Sequence, residues 1–349
     1  MNKETDNALR FDSRTLTANF KDVHGQEVER TIEVRTHPIT GRRCRITFSR
    51  SLECESETSA LPSPPPDADR IQACPFCPGQ LEKQTPLLRP EIAPGGRLRR
   101  GRSVLFPNLY PYGRYSAVSL FDERHFVEIG TAEAGTYGDS FINSADYLEQ
   151  VAAYDPQAIY MAITQNHLPA AGGSLLHPHL QVNADGIVSN HHAFLIRRAA
   201  KYRKATGRLI FSDYLEAEKQ NGGRLIGITG PWHWLAAYAP EGFFEIWAIY
   251  PGQTSLFRVQ PSQWHALARG VVNAQRFYRS LNRNSYNLGL LTVCQDNSPL
   301  ELRVVLIARA NYAPWVRSDL TAYEIMLGDM ATFNAPEETA ALARPFWKA

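Results

Sequence analysis

Two histidines and a glutamine, each separated from the next by one residue, form the most chemically suggestive group in this sequence. His177, His179 and Gln181 follow a run of small residues at 172–174 (Gly-Gly-Ser). In an extended segment side chains alternate between two faces, so these three nitrogen-bearing groups are predicted to project to one side. The small residues leave little side-chain bulk, so backbone N–H groups can approach an anion closely. The pattern indicates an imidazole that acts on a phosphate.

A second group that could do chemistry is a pair of cysteines earlier in the chain. Cys74 and Cys77 are separated by Pro75 and Phe76 and followed by a Pro-Gly pair. A tight knuckle of this kind can direct two thiolates at one metal ion, and a metal site is the favoured interpretation. A redox pair and two unpaired core cysteines are the alternatives. The redox alternative is typical of a thioredoxin-like βαβ unit, and no such pattern surrounds the pair.

The elements that must position these groups are predicted from hydrophobic periodicity. A buried strand at residues 158–164 leads into the small-residue run, and a helix is predicted at residues 139–153. Residues 1–30 are polar with scattered apolar positions, and we expect a loose arm there. Further strands are expected at residues 43–48, 103–106, 117–121 and 125–129.

After residue 190 the pattern changes to long helices separated by pairs of strands. This order predicts the α+β class, with a boundary near residue 190 that divides the chain into domains 1–190 and 191–349. The helices are expected at residues 193–221, 261–281, 319–333 and 337–343, and the strands at 234–238, 243–249, 288–294 and 302–308.

Composition excludes several classes of partner. The chain has 349 residues and a net charge of +2, so electrostatics gives no case for nucleic acid or a membrane surface. No apolar run is long enough to span a bilayer, and the polar N-terminus lacks the apolar core of a signal peptide. Five cysteines are too few for a disulfide scaffold of this size, so a reduced, cytoplasmic setting is expected.

Three separated motifs agree with one family in order and spacing. The motifs are Arg35-x-x-Pro38-x-Thr40-Gly41 with Arg50, then Cys74-Pro75-Phe76-Cys77-Pro78-Gly79, then Asn166 through Ser174 to His177-Pro178-His179-Leu180-Gln181. Together they resemble the galactose-1-phosphate uridylyltransferase family, a branch of the histidine-triad superfamily. Relatives that phosphorolyse ADP-glucose share much of the pattern. The match spans residues 33–185 and extends weakly into the second half.

This resemblance implies a fold and a reaction. The fold is two histidine-triad-like α+β halves, each an antiparallel sheet with helices, and the usual assembly is a homodimer. The substrates are nucleotide sugars and sugar phosphates. His179 is the implied nucleophile, which attacks the α-phosphorus and forms a nucleotidyl-histidine. Gln181 is implied to donate a hydrogen bond to a phosphoryl oxygen as charge shifts.

The same resemblance implies further binding residues and a metal centre. Substrate contacts are implied for Arg50, Asn108, Asn166, Gly173 and Ser174, although a loop charge and an asparagine that holds its own turn are the alternatives for Arg50 and Asn108. A structural zinc ion is implied at Cys74, Cys77, His125 and His177. Two cysteines and two histidines suit a closed tetrahedral site that would order the strand carrying His179.

The sequence also departs from the family pattern. Leu180 stands where the uridylyltransferases usually have glycine, Ala322 replaces a glycine before Tyr323-Glu324, and residues 301–310 contain no histidine cluster. UDP-hexose is favoured as the substrate because uridine dominates the family. An ADP-sugar phosphorylase or adenylyltransferase, a nucleotide hydrolase and a non-catalytic nucleotide-binding protein are the alternatives.

Overall fold

The structure, a computed structural model, describes residues 9–47, 74–309, 319–320 and 323–348. Two positions considered above, Arg50 and Ala322, lie outside the described residues. Among the helices in the described ranges, none is both long enough and apolar enough to cross a membrane.

The described chain begins with an antiparallel meander. Its strands are β1 (Ser13–Lys21), β2 (Glu27–Thr36) and β3 (Arg43–Thr47). The prediction of a loose arm at residues 1–30 was therefore wrong for the described part of that segment. Most β1 side chains are exposed, so the strand is held mainly by pairing with β2 and carries no alternating apolar signal.

A ten-stranded sheet forms the centre of the described molecule. Its strands are β4 (Leu98–Arg100), β5 (Ser103–Pro107), β6 (Tyr115–Leu120), β7 (Tyr160–His167), β8 (His179–Asp185), β9 (Leu225–Thr229), β10 (Trp232–Ala236), β11 (Ile246–Ile249), β12 (Tyr286–Val293) and β13 (Arg303–Ala308). The order is β4-β5-β6-β8-β7-β12-β13-β11-β10-β9, and every neighbouring pair is antiparallel. The strands before and after residue 190 thus occupy the two ends of one continuous sheet, which join where β7 pairs with β12.

Helices cover both faces of this sheet. After the short α1 (Leu81–Gln84), the long α2 (Ala134–Tyr154) packs against α5 (Pro261–Ser280) on one face, where Phe141 stacks on Trp264. The apolar stripes of α3 (Asn190–Thr206) and α4 (Ile210–Asn221) belong to a second core cluster, which also includes Trp247 of β11. Helices on an antiparallel sheet confirm the α+β class, whereas the domain boundary at residue 190 stays a prediction.

Further predicted elements differ from the structure, and the helix predicted at 193–221 is divided into α3 and α4. Residues 125–129 form an irregular segment rather than a strand, and the apolar side chains of Val127 and Ile129 are buried without strand pairing. The tail predicted as a helix at 319–333 instead contains a single π-helical turn, Tyr323–Leu327, and then strand β14 (Met330–Thr332). Gly328 adopts a positive φ of 74° that ends the turn, and β14 then pairs in parallel with β3. The last predicted helix is confirmed as α6 (Pro336–Ala343).

Candidate active site

His179 opens strand β8 with its ring in a defined tautomer. Its Nδ1 lies 2.8 Å from the backbone oxygen of His177, and because a carbonyl only accepts, Nδ1 carries the proton and donates it. The lone pair is therefore on Nε2. The side chain is buried, and this burial lowers its pKa below the ordinary value. The result is a neutral imidazole with one nitrogen available as a nucleophile.

The His179 ring lines a cavity of about 490 Å³. We call this the histidine cavity. Its polar lining includes Gln181, Ser174, Asn166 and Asn108, so four of the residues predicted from sequence lie around one space with His179. The size falls in the range of about 300–1,000 Å³ typical of small-molecule sites. The remaining wall is largely apolar and includes Phe76, Phe106, Pro107, Leu109, Tyr110, Tyr112 and Val118.

The loop between β7 and β8 is held in an unusual conformation. Leu168 adopts a φ of 71°, which is rare for a residue with a side chain, and Gly172 follows with a φ of 88°. Gly173 has no room for a side chain, because an added Cβ would lie 2.9 Å from the Asn166 carbonyl oxygen. The N–H of Gly173 donates to the Leu168 carbonyl, so it is engaged within the loop, whereas Gly172 and Ser174 line the cavity.

Asn166 is oriented by a residue that the sequence did not reveal. Asn287 lies directly opposite it on β12, and the Asn287 Nδ2 donates to Asn166 Oδ1 over 2.7 Å and to the Ala171 carbonyl over 2.9 Å. Arg309 in turn donates to Asn287 Oδ1 over 2.7 Å. Since Asn166 Oδ1 accepts, its Nδ2 remains as a donor on the cavity side, close to Gly172.

Asn108 holds its own turn, which is the alternative role considered for it, and it also lines the histidine cavity. Its Oδ1 accepts a hydrogen bond of 3.1 Å from the Tyr110 backbone N–H, so it holds its own turn. Its side chain nevertheless lines the histidine cavity. The turn therefore orients the amide, whose NH₂ group is the part left to donate to a ligand.

Cys74, Cys77, His125 and His177 form a cluster whose ligand atoms all lie within 4.8 Å of one another. The Cys77 Sγ is 3.3 Å from His125 Nδ1 and 3.6 Å from His177 Nδ1, and the Cys74 Sγ is 4.0 Å from His177 Nδ1. Ligand atoms around a tetrahedral zinc ion are separated by roughly 3.5–3.8 Å. The cluster could therefore hold such an ion after small side-chain adjustments.

The hydrogen bond of the second His177 nitrogen favours metal binding by the first. Its Nε2 lies 2.9 Å from the Asp122 carbonyl and donates to it, so the Nδ1 that faces the cysteines keeps its lone pair. The carboxylate of Asp122 is buried and holds Arg124 at 2.5 Å, which stiffens the segment leading to His125. Sequence analysis missed Asp122, because a backbone carbonyl gives no sequence signal.

The cluster and the nucleophile candidate are mechanically connected. His177 uses its ring in the cluster and its backbone carbonyl to orient His179. Phe76, between the two cysteines, packs edge-on against both rings at centroid distances of 6.0 and 5.6 Å. Any ion that fixes the cluster would therefore also fix the imidazole of His179.

Two proteins resemble this chain in sequence over most of its length. No family model matches the chain. An uncharacterized protein of Archaeoglobus fulgidus is 28% identical over 93% of this chain and 95% of its own length. The ADP-glucose phosphorylase of Arabidopsis thaliana is 24% identical over 92% of this chain and 95% of its own length.

Solved structures extend this similarity to the fold. The Arabidopsis thaliana ADP-glucose phosphorylase with bound ADP-glucose superposes with a TM-score of 0.69 at 19% identity, covering 90% of this chain and 98% of its own. A uridylyltransferase structure gives a TM-score of 0.67 at 17% identity, with coverage of 90% and 98%. The chain thus has the fold of the ADP-glucose phosphorylase and uridylyltransferase structures, in agreement with the resemblance that its motifs indicated.

Proposed function

We propose that this protein is a nucleotidyltransferase that acts on nucleotide sugars through a covalent nucleotidyl-His179. The observation that carries the proposal is the tautomer of His179, whose Nε2 lone pair belongs to a ring lining the histidine cavity. A neutral imidazole can attack phosphorus without first losing a proton. The named relatives support nucleotidyl transfer on sugar nucleotides as the class of reaction.

The proposed first step forms an Nε2–P bond and breaks the bond between the α-phosphorus and the bridging oxygen. The sugar 1-phosphate leaves with the electron pair of that bond. The ring becomes cationic while Nδ1 keeps its proton, and the His177 carbonyl stabilises that charge by accepting from Nδ1. In the second step a phosphate oxygen of the acceptor attacks phosphorus, and neutral His179 is the leaving group.

The other cavity residues have proposed roles as hydrogen-bond donors. Gln181 is two residues along β8 from His179 and would donate to a nonbridging oxygen as negative charge develops. Ser174 and the Nδ2 of Asn166 would orient the same phosphoryl group. Asn108, which also lines the cavity, would contact the ribose or a phosphate.

Zinc is the proposed ion for the Cys74, Cys77, His125 and His177 cluster, since two thiolates and two imidazoles are a typical structural zinc set. When bound, it would supply a rigid cross-link and no reacting group. His177 would transmit that rigidity to His179 through its backbone carbonyl. A homodimeric assembly and a cytoplasmic location stay predictions.

The proposed donor is a UDP-hexose and the proposed acceptor is a hexose 1-phosphate. A second candidate is phosphorolysis of ADP-glucose, which is favoured by the name and coverage of the Arabidopsis thaliana relative. In that reaction orthophosphate replaces the sugar phosphate as acceptor. Hydrolysis and nucleotide binding without turnover are the remaining alternatives.

The test is to trap nucleotide on the protein. Purified protein is incubated with UDP-glucose, UDP-galactose or ADP-glucose that is radiolabelled at the α-phosphate, and protein-bound label is counted after denaturation. We expect labelling of the wild type and of His24→Ala, a matched control that removes an exposed histidine far along the chain from the cavity loop. Labelling of His179→Ala at the wild-type level would contradict the proposal.

The acceptor is then identified by chasing the labelled protein. Release of label as UDP-hexose on addition of hexose 1-phosphate supports the leading proposal, and release as ADP on addition of orthophosphate supports the second candidate. Release into free nucleoside monophosphate without any acceptor would identify a hydrolase. Nucleotide binding without any label on the protein would identify a binding protein.

A further inference from the structure

A second cavity, of about 260 Å³, lies in the half of the molecule without the histidine motif. It sits over strands β11, β12 and β13, beneath α3, α4 and the turn that follows β2. We call it the arginine cavity. It lies on the same face of the sheet as the histidine cavity. Asn287 lines the arginine cavity, and its cross-strand partner Asn166 lines the histidine cavity.

Arg303 is the unusual residue of this cavity. It is only 9% exposed, and its guanidinium lies 4.1 Å from the Trp247 ring centroid and 4.7 Å from that of Phe211. Among the described residues it has no hydrogen-bond or ion-pair partner. The rings stabilise its charge in part, but they leave five N–H donors without an acceptor. A buried cation in that state is costly unless something else enters the cavity.

The carboxylates of the cavity are already committed elsewhere. Glu301 accepts from the backbone N–H groups that begin α4 and from Gly252, at distances of 2.8–3.0 Å. Glu245 accepts from the Trp247 indole at 2.5 Å, and Glu241 accepts from the Thr40 hydroxyl at 2.7 Å. Each carboxylate keeps further lone pairs that can accept a hydrogen bond from a ligand.

Donors and acceptors lie close together in the arginine cavity. The Arg303 guanidinium covers the Trp247 ring, and the Trp247 indole N–H donates to Glu245, so cation and carboxylate lie around the same side chain. Glu241 and His37 also line the cavity, where the His37 Nδ1 accepts from the Ile39 and Thr40 N–H groups. A ligand therefore needs acceptors for the guanidinium and hydroxyl donors for the neighbouring carboxylates.

The charge and size of the cavity narrow the choice of ligand. An anion held by Arg303 would also face Glu241, Glu245 and Glu301, so a free phosphate is disfavoured. The volume lies below the range of about 300–1,000 Å³ usual for larger ligands, so a nucleotide is disfavoured as well. We propose that the arginine cavity is a second binding site for a small uncharged polyol, of the size of a hexose. This site is separate from the catalytic cavity and does not depend on the proposed reaction.

The test is isothermal titration calorimetry with D-glucose, D-galactose, myo-inositol and orthophosphate as probes. Two variants change the cavity in different ways. Arg303→Met keeps an unbranched side chain over Trp247 but removes the donors, and Gly289→Val fills space, since an added Cβ at Gly289 meets nothing within 4 Å. Gln181→Ala serves as the matched control in the histidine cavity. Sucrose at equal concentration controls for nonspecific solvent effects.

We expect at least one of the polyols to bind, with affinity reduced roughly tenfold or more in both Arg303→Met and Gly289→Val and unchanged in Gln181→Ala. The proposal is overturned if no polyol binds, if binding is indifferent to both variants, or if orthophosphate alone binds in an Arg303-dependent way.

Discussion

The histidine cavity and the arginine cavity lie on one face of one sheet, yet they offer different chemistry. In the first, the side chains that alternate along β8 place His179 and Gln181 in the cavity. In the second, the alternation along β13 places Arg303 and Val305 there. The backbone arrangement is shared, and the residue types at a few inward positions decide the function. The proposed nucleophile, His179, lines the histidine cavity, so we expect catalysis to be confined to it.

The largest expected effect is a difference in transfer rate between a variant of the histidine cavity and a variant of the arginine cavity. His179→Ala should lower the rate of nucleotidyl transfer by at least about a thousandfold, because the proposed nucleophile of the proposed covalent step is lost. Arg303→Met, in the other cavity, should change the rate by less than about twofold. Steady-state assays of both purified variants, with circular dichroism as a check on folding, make the comparison. A similar loss in both variants would show that the cavities do not act separately.

The next effect concerns the proposed zinc cluster, which lies beside the histidine cavity. Cys77→Ser should reduce bound zinc, measured by mass spectrometry of the purified protein, and lower activity by roughly 10–100-fold. Cys44→Ser is the matched control, since Cys44 is a buried cysteine on β3 outside the cluster. Equal zinc content in wild type and Cys77→Ser would contradict the assignment of this ligand.

A smaller effect is expected at the junction of the two cavities. Asn287→Leu keeps the size of the side chain but removes its hydrogen bonds to Asn166 and Ala171. Because misplacing a substrate-contacting group can cost up to about a hundredfold, we expect a tenfold or larger fall in kcat/KM. Asn287→Asp retains an acceptor for Arg309 but not the donor, so it should not restore activity. Unchanged kinetics in Asn287→Leu would show that Asn287 does not position Asn166 for the reaction.

The smallest expected effect is on stability in acid. His167 lies on the far side of β7 from Asn166, and burial lowers its pKa to about 4, with its Nε2 unpartnered among the described atoms. Unfolded histidine has a pKa of about 6.5, so the unfolded state binds more protons and stability falls as pH drops from about 6.5 towards 4.

His167→Phe preserves the stacking on Tyr286 and removes this titration. The variant should lose about 3 kcal/mol less stability than the wild type between pH 7 and pH 4. Urea denaturation at both pH values measures the difference, and the exposed His24→Phe variant is the control. Identical acid sensitivity in wild type and His167→Phe would show that His167 does not titrate as its burial indicates.

Local spacing was enough to predict His179 and Gln181 in the histidine cavity, whereas Asn108 and Asn166 were predicted from the family resemblance. His177, His179 and Gln181 lie within five residues of one another, so strand alternation alone constrains the last two of them. Asn287 and Arg303 escaped prediction because both reach their sites through pairing with strands that are distant in the sequence, and Asn287 pairs with Asn166 across more than a hundred residues. Single-sequence periodicity identifies a strand but not its neighbour, and the order β8-β7-β12-β13 could not be inferred.

The wrong predictions of secondary structure also arose because tertiary contacts are not visible in the sequence pattern. The β1–β2 hairpin is exposed on most positions and so carries no alternating apolar pattern. Residues 125–129 carry apolar side chains at strand-like spacing, but His125 is close to Cys77, and the segment is irregular. Sequence patterns report which side chains need burial, and they do not report which tertiary contacts compete for the backbone.

The most direct test of the central claim locates the covalent adduct. The protein is incubated with a nucleotide sugar, denatured at alkaline pH and digested, and the modified peptide is sequenced by mass spectrometry. We predict a nucleoside monophosphate attached to the His179 ring, with His177 and His167 unmodified. An adduct on another residue, or an adduct that persists in His179→Ala, would contradict this account.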